Sequence, residues 1–417
     1  MTAPPTSTPS TPAERDRVVH PATPGQLHWL EGELRRWQDE GLVDEPLATS
    51  IRDSYVLRRR VTLSRIVLTL GACFVGLGLI WLVVSNLDQM SPLVRFVLVA
   101  AVWLGLVVAS EILARRRERT DAVPVPVVGA VRLLAAAAYG AVVFQAAQSL
   151  QVSTYGASLV GIWAAGALIW AYAVRGTAAL VFGVLLSAVW FVWLVTDAED
   201  SLFAGATALG SAALAAVSLG VLHAVGRWRE AGWAPFGVPW RELGGALVLI
   251  GLFLAALPFG DDEVSIVPLA LWVGLGVAVA LAVAALALGD RTDRFEAGLA
   301  GVALAVGVGL SLWRFDDTEL SDLTAGEWTR SFVAVAVYLV VASGYAVLGG
   351  MRDSSRMTFT ATAALVVFTT VQAFAVFAEI LSGAALFLLV GVVLIGTGIL
   401  ADRGRRRLVH EGKEAMS

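Results

Sequence analysis

The strongest constraint in this sequence is a rhythm of apolar runs, each about as long as a bilayer is thick. An α-helix rises about 1.5 Å per residue, so about 20 apolar residues cross roughly 30 Å of hydrocarbon. Twelve such runs follow one another, at about 66–84, 93–113, 125–147, 156–174, 177–195, 202–225, 241–258, 264–288, 295–313, 331–350, 358–378 and 383–401. Only 15% of the residues are charged, against about a quarter in a soluble domain. The expected fold is all-α: a polytopic transmembrane helical bundle of about 12 spans with an N-terminal cytoplasmic αα-hairpin. The fourth and fifth runs are joined by a tight turn at Arg175 and Gly176, which is where the count is most open.

The charges between the runs alternate in sign. Arg115, Arg116, Arg117 and Arg119, then Arg175, Arg227 and Arg229, then Arg291, Arg294, Arg352 and Arg356 occupy every second connection. The other connections carry Asp197, Glu199, Asp261, Asp262, Asp316 and Asp317. Basic residues stay in the cytoplasm, so both termini are expected there. Lys413 is the only lysine among 30 basic residues, a bias that suggests a GC-rich bacterial genome and hence the bacterial inner membrane. Residues 1–24 hold six of the 14 prolines and no apolar core. They read as a disordered Pro/Ser/Thr-rich tail rather than a signal peptide. The first span then has to act as the insertion signal. The expected domains are a tail over 1–25, a helical hairpin over 26–60, the bundle over 61–402 and a basic tail over 403–417. With Cys73 as the lone cysteine, no intrachain disulfide forms.

One stretch is amphipathic. Leu27, Leu30, Leu34 and Trp37 recur at helical spacing. Gly41 is suited to ending that helix. Asp44 is placed to cap a second helix, with Glu45 and Pro46 in its first turn. The second helix presents Leu47, Ile51 and Tyr55 and is expected to run on into Arg58, Arg59 and Arg60. Two short helices bury too little surface to stand alone. Leu30, Leu34, Trp37, Leu47 and Ile51 are therefore a candidate docking surface. Besides the lipid bilayer itself, the expected partners of residues 27–55 are the chain's own bundle, a second copy or another membrane protein. Glu31, Glu33, Asp39 and Glu40 interleave with the arginines and exclude nucleic acid.

The hairpin residues Trp29, Leu30, Glu33, Leu34, Trp37, Glu40, Gly41, Leu42 and Val43, followed by a basic-flanked span, resemble the bacterial membrane proteins of domain-of-unknown-function family 2157. The likeness continues in GLGLIWLVVSNLD (76–88), in FQAAQSLQVSTYGASLVGIWAAGALIWAYAVRG (144–176) and loosely in FLLVGVVLIGTGILADRGRRRL (387–408). It covers the first 180 residues best. Leu87 stands where the family has a Trp. The resemblance implies a multi-pass membrane fold and supplies no reaction, because no activity is established for the family.

The inventory for chemistry is thin. Lys413 lies in Gly-Lys-Glu, so no Walker A loop exists. Four histidines and one cysteine make no zinc site. No cofactor is expected, and the chain reads as a non-enzyme. Ser158 and His223 resemble the serine and histidine of rhomboid-type intramembrane proteases, but they fall near opposite ends of their spans, on the order of 25 Å apart in depth. The polar groups inside spans are Arg132, with Glu111 the nearest carboxylate in depth, and Gln145 and Gln148 on one face of the third span. They read either as helix–helix hydrogen bonds or as a polar path for an anion or polar solute. Lipid headgroup binding near the basic loops is a third reading. GDRTDR (289–294) resembles a loop motif of major facilitator transporters but has no counterpart after the second span. The two functional expectations are a scaffold or assembly factor docking through the hairpin and, as alternative, a secondary transporter of a small polar or anionic solute.

Overall fold

The computed structural model describes residues 20–22, 24–57, 91–120, 123–153, 155–257, 267–313 and 325–377, with 391, 392, 395 and 396. The chain divides into two compact units, Met1–Met90 and Ser91–Ser417.

In the first unit, helix α1 spans Pro24–Asp39 and helix α2 spans Glu45–Asp53. The turn between them follows from its residues. Gly41 takes φ +71°, the left-handed region where a side chain is strained. There the Leu42 amide donates to the Trp37 carbonyl at 2.9 Å and the Gly41 amide to Gln38 at 3.0 Å, the paired bonds of a Schellman end. The Asp44 carboxylate then accepts from the Leu47 amide at 3.1 Å and opens α2. Leu30, Leu34 and Ala48 are buried between the helices, with Trp37, Val43 and Ile51 packed on them. An Arg52–Glu31 pair at 3.0 Å ties the outer edge.

Two expectations are corrected here. The second helix does not run on to the basic run. It stops at Asp53, where the Ser54 hydroxyl donates to the Ile51 carbonyl at 2.6 Å. The β-prone triplet Tyr55–Leu57 then becomes strand β2. Residues assigned to the tail, His20–Ala22, form strand β1 and pair with it in parallel. The described part of this unit is therefore not purely helical.

In the second unit the helices are α3 (Pro92–Thr120), α4 (Val125–Ser149), α5 (Ala157–Ala173), α6 (Thr177–Thr196), α7 (Leu202–Ala224), the short α8 (Gly226–Glu230), α9 (Ala234–Ala256), α10 (Leu269–Leu288), α11 (Arg291–Leu312), α12 (Ala325–Met351) and α13 (Ser355–Phe377). Among the described residues eight helices are long and apolar enough to cross a membrane, against about twelve expected. The expected runs at 66–84 and 383–401 fall outside the described residues, apart from 391, 392, 395 and 396. Helix α5 has 17 residues, roughly 25 Å of rise and short of the hydrocarbon thickness. Arg175 adopts φ +50°, which turns the chain from α5 straight into α6.

The core of the bundle is the contact of α7 with α9, where glycines remove the side chains that would hold the backbones apart. A Cβ at Gly237 would lie 2.6 Å from the Gly220 carbonyl oxygen, and one at Gly244 would lie 2.7 Å from the Val217 amide. Gly251 meets Gly210 in the same way at 3.3 Å. Small residues at seven-residue spacing thus make one close-packed seam.

A chain of side-chain contacts shows which helix ends share a face. Arg132 on α4 reaches Val174 past the end of α5. Tyr172 on α5 meets His223 at the end of α7 and Trp240 on α9. Arg241 on α9 meets Asp293 on α11, which meets Arg352 past α12. The basic connections at 115–119, 175, 227–229, 291–294 and 352–356 therefore lie at one end of the bundle. That is the segregation the loop charges predict.

Candidate functional site

At the basic end, three helices bring four opposite charges together. Asp290 and Asp293 form a capping box: the Asp293 amide donates to Asp290 Oδ1 at 2.7 Å, and the Asp290 amide to Asp293 Oδ2 at 3.3 Å. The box starts α11 at residue 291 rather than at the expected 295, which draws Asp293 and Glu296 into its first turns. They stand three residues apart on one face, where the helix N-terminus favours negative charge. Helix α9 starts at 234 rather than at 241, so Arg241 lies two turns inside it. Arg352 follows the C-terminus of α12, where positive charge is favoured.

The geometry is close. Arg241 Nη2 lies 2.9 Å from Asp293 Oδ1, and its Nη1 lies 3.7 Å from Glu296 Oε2. Arg352 Nη2 lies 2.7 Å from Asp293 Oδ1 and 2.8 Å from Glu296 Oε2. Arg241, Asp293 and Glu296 are buried, Glu296 completely. Such a cluster carries a large desolvation cost and holds only while every member keeps a counter-charge. Its hydrogen bonding is incomplete among the described residues: Arg241 Nε and Nη2, Arg352 Nε, both Glu296 carboxylate oxygens and the neighbouring Tyr345 hydroxyl are buried without a hydrogen-bond partner. Beside it Glu242 accepts from the Ser354 hydroxyl at 2.9 Å and pairs with exposed Arg356 at 3.3 Å.

A cleft adjoins the cluster. One lobe of about 530 Å³ is lined by Arg229, Arg241, Asp290, Asp293 and Arg352, and another of about 280 Å³ by Arg241, Glu242, Val238, Ser354 and Met357. Ala224, Ala234, Arg241 and Arg352 line both lobes. Further along the same helices, a void of about 10 Å³ sits among Gly210, Gly251, Ala303 and Gly307, about the room of one water.

At the opposite end, α12 meets α9 and α11 again through Arg330. This buried guanidinium donates to the Leu310 carbonyl at 3.2 Å and to the Ala255 and Leu257 carbonyls at 3.3 and 3.2 Å. These are carbonyls at helix C-termini, which lack helical partners.

The residues singled out by sequence divide. Arg132 and Glu111 do meet: Arg132 Nη2 and Nε donate to Glu111 Oε1 at 2.9 and 3.2 Å, and Nη1 donates to the Val174 carbonyl at 2.8 Å. Gln145 and Gln148 do not join them. Gln145 is buried and donates to Ser149 at 3.5 Å, while Gln148 is exposed. Both glutamines lie roughly 20 Å or more along the helix from Arg132. The buried face between holds Ala135, Ala136, Gly140 and Val143, so no polar strip links the two ends. Of the expected docking surface, Leu30 and Leu34 are buried and Trp37 and Ile51 are packed inside the helix pair. Leu47 is 51% exposed, and Trp29 and Leu42 stand outside with it.

His223 is buried. Its Nδ1 lies 2.6 Å from the Leu219 carbonyl and so carries the proton, which leaves Nε2 to accept from the Tyr172 hydroxyl at 2.7 Å. Trp240 is buried and donates to that hydroxyl at 3.0 Å. Ser158 begins the helix that Tyr172 ends, roughly 20 Å away, so serine and histidine are not a pair. Among the described residues no group of His, Cys, Asp or Glu could hold a metal ion.

Sequence reasoning missed the four-charge cluster. The signal was present in Asp290-x-x-Asp293-x-x-Glu296, a capping box continued by one more acid at helical spacing, with Asp290 and Asp293 in a stretch taken for a loop.

Fold and site together define a multi-pass α-helical membrane protein. Residues 35–180 match the family described as Predicted membrane protein (DUF2157). The matched stretch runs from within α1 to the start of α6, so it includes Glu111 and Arg132 and stops short of the four-charge cluster. No curated protein and no solved structure matches the chain.

Proposed function

We propose that this chain is a non-enzymatic secondary transporter of a small polar solute, with the charged cleft as its solute site. The observation that carries this reading is the buried cluster Arg241–Asp293–Glu296–Arg352 opening on a cleft at one end of α9, α11 and α12. Buried ionisable groups on membrane-spanning helices are costly, and they point to a functional site by default. The small void among Gly210, Gly251, Ala303 and Gly307 lies where a path from the cleft would continue. The basic end is the cytoplasmic one by the positive-inside rule. Both termini are then inside, in a bacterial inner membrane with about twelve spans.

The test is thiol access. In a Cys73→Ser background, single cysteines replace Ala234 in the cleft and Ala303 at the void. A membrane-impermeant reagent is expected to reach the first from the basic side and the second from the opposite side. Labelling at Ala234 with silence at Ala303 from both sides would mean a closed, dry bundle and would remove the transport reading.

The helix pair supports a second reading, docking to a partner. It has its own small core and leaves Trp29, Leu42 and Leu47 exposed. Deleting residues 27–55 should then abolish association while the bundle still inserts. A truncated protein that still associates would sink it.

A further inference from the structure

We propose that the cleft binds a zwitterion: a small solute carrying an ammonium and an anionic oxygen group a few ångströms apart. The proposal rests on the transport reading and names the class of solute.

The walls set the charge of the guest. Three arginines, Arg229, Arg241 and Arg352, and three carboxylates, Glu242, Asp290 and Asp293, line the two lobes. The lining is neutral as a whole, so a guest with net charge would leave an uncompensated ion against the buried cluster. An uncharged apolar guest would displace water from six charged groups and satisfy none of them. A guest with one charge of each sign meets partners for both.

The hydrogen-bond inventory points the same way. The cluster has spare donors, Arg241 Nε and Arg352 Nε, on residues that line both lobes, with a spare acceptor, Glu296 Oε1, buried behind them outside the lining. Arg352 is the member that can turn toward a guest, because it is the least buried of the four and sits past the end of its helix. An anionic group of the guest can take Arg352 in a two-pronged contact, and the ammonium can take Asp293 in exchange. Each charge then keeps a partner throughout, as a buried cluster requires. Ala224, Ala234, Val238 and Met357 supply an apolar wall for the carbon skeleton.

Two sources share this chemistry: a free amino acid and the ethanolamine-phosphate headgroup of a lipid. The experiment uses the full chain in phosphatidylglycerol nanodiscs with radiolabelled L-alanine and radiolabelled glycerophosphoethanolamine as probes. Saturable binding of at least one zwitterion is expected, with acetate and ethylammonium, each half of the guest, failing to compete. Adding phosphatidylethanolamine separates the sources. A lipid occupant suppresses both probes, and a soluble occupant ignores the lipid; both outcomes uphold a zwitterion site. Arg352→Gln should weaken binding roughly ten- to hundredfold. Should that variant not fold, Asp293→Asn/Arg352→Gln keeps the cluster neutral and Ala234→Phe fills the cleft without touching a charge; both should lose binding. Competition by acetate at the same concentration as L-alanine would make this an anion site and overturn the proposal. So would the absence of any binding to folded wild-type protein. If the cysteines at Ala234 and Ala303 both label in that case, only the class of solute falls. If Ala303 is silent, the transport reading falls with it.

Discussion

Helix α12 is tied to α9 and α11 at both ends by arginine, and the two ties are built from different materials. Arg330 and Arg352 lie roughly 33 Å apart along the helix direction, about one hydrocarbon thickness. At the first, one guanidinium donates to carbonyl oxygens at the ends of α9 and α11. At the second, two guanidiniums meet two carboxylates. Carbonyls at helix ends are dipoles that no redistribution of charge can neutralise, so the Arg330 tie is a staple. The other tie consists of exchangeable ion pairs with unused donors and acceptors. A site that binds and releases a charged solute needs the second kind, since partners can be swapped without leaving a charge bare.

The largest effect is expected from Glu296→Ala. It leaves Arg241 and Arg352 with one acid between them in a buried site, and loss of one partner of such a pair costs about 3–5 kcal/mol. Thermal unfolding of the purified variant measures it, and a loss below that of Arg330→Leu would dissolve the distinction between the two ends. Arg330→Leu removes charge-assisted hydrogen bonds to three carbonyls and should cost about 1.5–3 kcal/mol. Thiol labelling of a cysteine at Ala234 should be unchanged in that variant if the staple and the cleft act separately. Between the two ends, Gly244→Val pushes a side chain into the Val217 backbone, and overpacking there should cost about 1–3 kcal/mol. A neutral result would mean that α7 and α9 can separate without disturbing either tie. The smallest change is expected from Arg356→Ala. Its pair with Glu242 sits on an 80% exposed side chain and should be worth less than about 1 kcal/mol. A larger loss in an unfolding titration would place Arg356 inside the functional cluster.

The helix pair and the bundle differ in how much of them could be read from sequence. Gly41 and Asp44 act where their residue types predict, because a left-handed turn and a helix cap depend on a few neighbouring residues. The Arg132–Glu111 contact was also legible: the two sit at similar depth on helices joined by a short connection. The direction of the stripe in α1 was not. Leu30 and Leu34 have the spacing of an outward docking face, and they instead close on Ala48. Helical periodicity says that a face is apolar and leaves open what covers it. His223 shows the same limit. It was read near a span end, yet the approach of α5, α7 and α9 buries it against Tyr172.

The four-charge cluster was the least legible feature. Arg241, Asp293 and Arg352 each look like a residue at the edge of a span or in a basic loop. Their helices are distant in sequence, and only the helix starts at 234 and 291 turn those edges into an interior. By itself, the sequence determined that this chain crosses a membrane many times and which connections carry the positive charge. Transfer free energy and loop charge act residue by residue, with little regard to neighbours in space. Which polar groups meet, which glycines let helices touch and where the cleft opens were decided by the tertiary structure alone. These depend on the rotation of each helix about its axis, and a quarter-turn of α11 would point Asp293 and Glu296 away from both arginines with no change in hydropathy.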